Sequence, residues 1–128
     1  MINLDEQLNS KSNIVYSICE TKIKQFYDLV DFYSTKSKFI EIRLDYMLSQ
    51  GMHLEFLINL LNIIKDNYKD NLFFATLKTR EDGGFLDTTP SKYFAIIKKI
   101  YQNSNVDFLD IKYSYYVQDR NVYENLFT

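Results

Sequence analysis

The stretch FIEIRLDYM, residues 39–47, decides how the rest of the chain is interpreted. It has the β-branched and large apolar residues of a buried strand, but a charged residue stands at every second position, namely Glu41, Arg43 and Asp45. Alternate residues of a strand point to the same face, so these three share one face and the apolar residues between them share the other. The stretch therefore predicts a strand at residues 39–45 with one face packed on helices and one charged face.

Strand and helix patterns alternate on both sides of this stretch. Short apolar runs rich in β-branched and aromatic residues predict strands, whereas apolar residues at helical spacing predict helices. The alternation is typical of βαβ units with a parallel sheet and right-handed crossovers. The predicted strands are residues 14–19, 39–45, 72–78 and 106–113, and the predicted helices are residues 21–33, 54–64, 91–102 and 116–127. Thr89 is predicted to cap the third helix, with Pro90 in its first turn.

Four such units fit either an open doubly wound sheet or part of a (β/α) barrel. A doubly wound sheet has helices on both faces, so its strands are continuous apolar runs. A barrel has helices outside and a packed, sometimes polar interior, which the charged alternation favours. We therefore expect an α/β fold in which residues 1–128 form a single domain, a partial (β/α) barrel of the TIM type with a parallel sheet. A full barrel needs about 250 residues, and an unclosed one has two free edges that invite association.

Composition narrows the classes of function. A net charge of −2 gives no field that attracts nucleic acid or an anionic membrane, and no apolar run is long enough to span a bilayer. Residues 1–12 are predicted to be a polar lead-in without the features of a signal peptide. The single cysteine, Cys19, fits a reducing interior and is predicted to lie in the core. These features predict a cytoplasmic protein with no nucleic-acid or membrane partner.

The charged face of the 39–45 strand has two interpretations. Arg43 lies between Glu41 and Asp45, and a guanidinium group can donate to both carboxylates. The three groups then form an ion-pair ladder that only fills a barrel interior, or they form a ligand site. The spacing alone leaves both open.

Three motifs in register resemble the first half of type I 3-dehydroquinate dehydratase. They are EIRLD at residues 41–45, TLKTREDGG at residues 76–84 and VDFLDIKY at residues 106–113, and the likeness runs from Ile14 to about Tyr113. The resemblance implies a (β/α)8 barrel and a lyase of the shikimate pathway, which supplies aromatic amino-acid biosynthesis. Such an enzyme converts 3-dehydroquinate to 3-dehydroshikimate through a Schiff base on a lysine, with a histidine as general acid and base, and needs no metal or cofactor.

The resemblance also implies roles for individual residues. Glu41 and Arg43 match the residues that hold the substrate's hydroxyl groups. Lys78 stands where the family usually has arginine, which keeps the charge but loses the two-pronged donor geometry. Asp82, before the Gly83-Gly84 pair, stands where the family has glutamate or glutamine and is one methylene shorter than glutamate. The implied substrate-binding residues are Ser17, Glu41, Arg43 and Lys78, with Asp45 and Asp82 in supporting positions.

The family's catalytic histidine and Schiff-base lysine belong to later strands and have no counterpart here, so no catalytic residue is assigned. His53, the only histidine, is expected to be exposed or capping at a helix start. Lys112 is expected to pair with Asp110 or to be solvated, with a Schiff-base role as the alternative.

Two functions follow from the resemblance and from the missing residues. One is a truncated dehydratase whose small-molecule substrate is 3-dehydroquinate or a similar polyhydroxy acid. The other is a non-enzymatic half-barrel that binds such a ligand or assembles with itself. In either case we expect a second copy or a separate C-terminal half as the partner.

Overall fold

The computed structural model describes residues 12–128, so the predicted lead-in lies outside the described residues except for Ser12. The strands are β1 (Ser12–Ile18), β2 (Ser37–Arg43), β3 (Leu72–Thr76) and β4 (Phe108–Asp110). The helices are α1 (Ile23–Ser34), α2 (Leu44–Ser49), α3 (Leu54–Asn67), α4 (Pro90–Asn103), α5 (Tyr113–Gln118) and α6 (Arg120–Phe127), and a 3-10 turn spans Arg80–Asp82.

The four strands form one parallel sheet in the order β1-β2-β3-β4, which is also their order in the chain. Right-handed crossovers between successive neighbours place the connecting helices on the same face. A doubly wound sheet would instead reverse its strand order to cover both faces. The predicted partial barrel with alternating helices is therefore confirmed for residues 12–128, and its other face carries no helix from this part of the chain.

The core lies between the sheet and the helices. Ile40 and Ile42 of β2 and Phe73 and Ala75 of β3 have no exposed side-chain surface, which confirms that the apolar positions of FIEIRLDYM face the helices. The helices contribute buried residues at helical spacing, since their apolar positions recur every three or four residues. These are Phe26 and Val30 of α1, Leu57, Leu61 and Ile64 of α3, and Tyr93, Ile97 and Ile100 of α4.

The decisive strand ends earlier than predicted. β2 ends at Arg43, and Asp45 is the second residue of the short helix α2, which the sequence pattern did not predict. The turn into this helix lets the buried Asp45 carboxylate reach back to Arg43 and across to the backbone after β3. A carboxylate in a first helical turn also interacts favourably with the helix dipole.

The strands β3 and β4 also end before their predicted boundaries. β3 ends at Thr76 and β4 at Asp110, so Lys78 and Lys112 lie in the connections that follow. The predicted fourth helix is two helices, α5 and α6. The prediction of an N-terminal cap is confirmed, since the Thr89 hydroxyl accepts a hydrogen bond from the backbone N–H of Lys92 at 3.3 Å.

The prediction that Cys19 lies in the core is wrong. Its side chain is exposed, and it follows the last residue of β1. Cys19 has the same strand parity as Val15 and Ser17, which line the face without helices, whereas Ile18 points into the core. The apolar residues near Cys19 suggested burial, but the alternation of side chains along β1 places the thiol on the sheet face that the helices do not cover.

Candidate binding site on the uncovered face

A cavity of about 570 Å³ lies on the sheet face that the helices do not cover. Its lining is apolar towards the amino ends of the strands and polar towards their carboxyl ends, which is where barrel folds place their sites. The lining residues are Val15, Ser17, Glu41, Phe74, Thr76, Phe108, Leu109 and Asp110. Two of the sequence-predicted site residues, Ser17 and Glu41, therefore lie together in this cavity.

Glu41 is held between two hydroxyl groups. The hydroxyl of Ser17 on β1 donates to Glu41 Oε1 at 2.5 Å, and that of Thr76 on β3 donates to Glu41 Oε2 at 2.8 Å. The sheet register explains this geometry, because Ser17 pairs directly with Glu41, and Thr76 pairs with Arg43, the next position on the same face. Each carboxylate oxygen can accept further hydrogen bonds, so Glu41 remains an oriented acceptor for a ligand hydroxyl.

Arg43 forms a separate unit with Asp45. Its Nε and Nη2 atoms donate to the two Asp45 oxygens at 2.9 and 2.8 Å, a bidentate pair in which the Asp45 side chain is fully buried. The pairing raises the pKa of Arg43. Burial alone would raise the pKa of Asp45, but hydrogen bonds from Arg43 and from the backbone of Phe85 and Lys78 outweigh it and lower that pKa.

These contacts do not form the three-residue ion-pair ladder that was one of the two interpretations of the charged face. Among the described residues, the hydrogen bonds and ion pair of the Arg43 guanidinium go to Asp45, not to both flanking carboxylates. Glu41 instead uses hydroxyl donors on the neighbouring strands. Asp45 engages two of the five guanidinium N–H groups, and Arg43 is not among the residues that line the cavity.

The loop between β3 and α4 carries Lys78 and Asp82. Lys78 is exposed, and no hydrogen bond or ion pair joins its ammonium to the described residues. Gly84 is required by the fold of this loop, because a Cβ atom there would lie 2.1 Å from the carbonyl oxygen of Lys78. The close approach explains one residue of the Gly-Gly pair that ends the motif TLKTREDGG.

Lys112 does not form the expected ion pair with Asp110. Its ammonium instead lies 2.8 Å from Asp82 Oδ2, and that hydrogen bond lowers the pKa of Asp82. The same bond raises the pKa of Lys112 and keeps its amine protonated, which disfavours a nucleophilic role. The Asp82 carboxylate is therefore paired with the Lys112 ammonium.

Two polar residues of the cavity, Thr76 and Asp110, were missed as site residues by the sequence reading. Burial, followed by the charge of Glu41, raises the pKa of Asp110. Strand parity was the available signal, since Thr76 shares a face with Phe74, and Asp110 shares one with Phe108. The polar lining of the cavity therefore comes from all four strands, through Ser17, Glu41, Thr76 and Asp110.

The remaining candidates lie outside the cavity lining. His53 is exposed at the N-cap of α3 and makes no side-chain capping bond, as the exposed alternative predicted.

Within residues 12–128, no group of three or more His, Cys, Asp or Glu side chains could hold a metal ion. None of the helices in this part of the chain is long and apolar enough to cross a membrane.

Comparison with known proteins gives consistent matches. The family model described as type I 3-dehydroquinase matches residues 14–126. A curated 3-dehydroquinate dehydratase from Streptococcus pneumoniae (strain P1031) is 25% identical over 113 residues, which is 88% of this chain and 47% of that protein. Another, from Bacillus subtilis (strain 168), is 26% identical over 73 residues, or 57% of this chain and 28% of that protein.

A solved structure shares the fold. The 3-dehydroquinate dehydratase from Enterococcus faecalis superposes with a TM-score of 0.68 at 18% identity, covering 88% of this chain and 46% of that one. The chain spans about half the length or less of the curated relatives reported above.

Proposed function

The chain belongs to the type I 3-dehydroquinase family, and from that premise we propose that it serves the dehydration of 3-dehydroquinate to 3-dehydroshikimate as the half-barrel that holds the substrate. The observation that carries the proposal is the Glu41 carboxylate fixed between the Ser17 and Thr76 hydroxyls on the uncovered face. An acceptor oriented in this way suits the hydroxyl groups of a polyhydroxy acid.

The proposed binding set combines one acceptor and two cations. Glu41 accepts from a substrate hydroxyl, and the free N–H groups of Arg43 donate to substrate oxygens while Asp45 holds the guanidinium. Lys78 supplies a flexible ammonium for an anionic or hydroxyl oxygen. Asp45 and Asp82 have supporting positions, since Asp45 holds Arg43 and Asp82 pairs with Lys112. No metal or cofactor is needed for this binding.

The chemical steps require residues beyond this set. The family resemblance implies a Schiff-base lysine and a general acid and base histidine that have no counterpart in residues 1–128. We propose that a second half-barrel, on the same or another polypeptide, supplies them. We also propose that residues 1–128 fold as one domain and that the protein acts in the cytoplasm, where the free thiol of Cys19 is stable.

A thermal-shift experiment tests the binding proposal. Quinate, shikimate and 3-dehydroquinate should each raise the melting temperature of the chain, and Arg43→Ala should abolish the shift because it removes the donors that Asp45 orients. Lys24→Ala, which removes one side of an exposed pair with Asp28, is the matched control and should keep the shift. A full shift in Arg43→Ala would remove the site assignment.

An absorbance assay tests the chemical proposal. The conjugated product absorbs in the ultraviolet, so its formation from 3-dehydroquinate can be followed directly. We expect ligand binding without turnover by residues 1–128 alone. Product formation well above the rate without protein would contradict the need for a second half and would make Lys78 and Lys112 the first residues to replace.

A second function, assembly, is favoured by the apolar end of the uncovered face. Val15 on β1 and Phe108 on β4 remain 45% and 41% exposed, and both lie on edge strands of the sheet. Parallel sheets are normally covered on both faces, so we propose that another half-barrel, a second copy or a C-terminal half, covers this one. Light scattering should give a mass above 15.3 kDa for a self-assembling chain, and a strict monomer at high concentration would exclude the second copy.

A further inference from the structure

One lysine ties together two neighbouring connections at the carboxyl end of the sheet. The ammonium of Lys112, just after β4, lies 2.8 Å from Asp82 Oδ2 and 3.3 Å from Glu81 Oε2, and it donates to Thr79 Oγ1 at 3.1 Å. All three oxygens belong to the loop that follows β3. The Lys112 side chain is only 6% exposed, so its three donors are turned to this loop.

The base of this lysine is held by the core. Its backbone N–H donates to the hydroxyl of Tyr93 at 2.8 Å, and Tyr93 is fully buried on α4. The ammonium also lies 5.2 Å from the centre of the Tyr115 ring, within the range of a cation–π interaction. The backbone of Lys112 is therefore fixed while its ammonium binds the loop after β3.

The exposed Lys78 stands at the base of the loop that Lys112 contacts. Thr79, the next residue, is buried, and its carbonyl accepts the Gly84 N–H at 2.8 Å. The Lys78 carbonyl accepts the Leu86 N–H at 3.2 Å, which closes the loop at its base. Asp45 holds the same base through the Phe85 N–H at 3.0 Å. The loop is thus fixed at its base by Asp45 of α2 and at its tip by Lys112, which follows β4.

We propose that Lys112 is a positioning residue that latches the β3–α4 loop onto the end of β4 and so fixes Lys78 for ligand binding. The Lys112 ammonium is paired with carboxylates of this chain, whereas Lys78 is exposed and is one of the two cations proposed to bind a ligand oxygen. The effect on a ligand rests on the proposed function. An unlatched loop would have to be ordered when the ligand binds, and that ordering lowers affinity.

The latch itself is tested without any ligand. Lys112→Met keeps the apolar stem and removes the ammonium, Lys112→Arg restores a cation, and Lys99→Met is a matched control on the exposed Lys99–Glu55 pair. In Lys112→Met, amide hydrogen exchange at Asp82 and Gly84 should become about tenfold faster or more, because these hydrogen bonds then open locally. Lys112→Arg should slow it again, and Lys99→Met should not change it.

The carboxyl resonance of Asp82 gives a second readout that general destabilisation would not move. The charged groups that act on Asp82 are Lys112 and Lys78, and Glu81 shares the Lys112 ammonium with it. Its titration midpoint, held low by Lys112 in the wild type, should move up in Lys112→Met and stay low in Lys99→Met. Unchanged exchange together with an unchanged Asp82 midpoint would overturn the latch.

Calorimetric titration with quinate tests the positioning role. The Kd should rise by about 3- to 10-fold in Lys112→Met and return towards the wild-type value in Lys112→Arg, a range typical of losing preorganisation. Faster loop exchange with an unchanged Kd would overturn the role in binding. A wild-type chain that does not bind quinate would overturn the proposed function, whereas the exchange and titration results would still decide the latch.

Discussion

The two faces of the sheet use the same strands for different purposes. On the helix-covered face, β2 and β3 contribute aliphatic and aromatic side chains without exposed surface, such as Ile42 and Phe73. On the other face the same strands contribute Glu41 and Thr76, which hydrogen-bond to each other beside an open cavity. The difference shows how a period of two separates stability from binding within one strand. Substitutions on the first face should affect folding, and those on the second should mainly affect ligands.

The largest expected effect is on the covered face. Phe73→Ala should lower the free energy of unfolding by about 3–5 kcal/mol, because a fully buried aromatic side chain leaves a cavity. Phe108→Ala on the uncovered face is the matched comparison and should lower it by less than half as much, since Phe108 is already partly exposed. Urea unfolding of both variants measures the difference. Equal losses would break the division between the faces.

The next effect concerns the buried pair at the border of the two faces. Asp45→Asn should cost about 3 kcal/mol at pH 7, because it removes one charge of a pair whose Asp45 side chain is fully buried. Asp28→Asn, in an exposed pair with Lys24, should cost at most about 1 kcal/mol. Urea unfolding at pH 7 compares them, and similar losses would contradict a structural role for Asp45.

The same pair predicts a pH dependence. The pKa of Asp45 is lowered in the folded chain, so its contribution is present above the unfolded value of about 3.9 and is lost as the pH falls through the folded pKa. As the pH is lowered from 4, the free energy of unfolding should therefore fall more in the wild type than in Asp45→Asn. Unfolding curves across this acid range test the sign, and parallel losses in both proteins would refute the linkage.

The smallest expected effect is at Asp110 in the cavity. Its pKa is raised in the folded chain, so ionised Asp110 opposes folding at neutral pH, and the penalty disappears as the group becomes protonated in acid. Asp110→Asn should therefore stabilise the chain at pH 7 by less than about 1 kcal/mol, because water screens this exposed carboxylate. The gain should vanish near pH 3. A loss of stability at pH 7 would mean that Asp110 has a favourable partner.

Local sequence patterns predicted the fold well because the fold depends on local periodicity. Alternation in β2 placed Ile40 and Ile42 against the helices, and the βα order predicted the parallel sheet. The same patterns did not predict the end of β2, since the helix that starts at Leu44 is short. The hydrogen bond from the Phe85 N–H to Asp45, a residue of this helix, joins positions 40 residues apart.

The site was predicted only in part for the same reason. The pairing of Ser17 with Glu41 follows from register, and register follows from topology. The contact of Lys112 with Asp82 joins loops 30 residues apart, and no spacing in the sequence indicates it. Long-range polar contacts depend on which strands become neighbours, so they become visible only in the folded chain.

Chemical-shift mapping of amide resonances with 3-dehydroquinate tests most directly whether the uncovered face holds the substrate. We expect shifts concentrated at Ser17, Glu41, Thr76 and the loop of residues 78–86, with α1 and α3 unaffected. Shifts confined to the helices, or none at millimolar ligand, would contradict it.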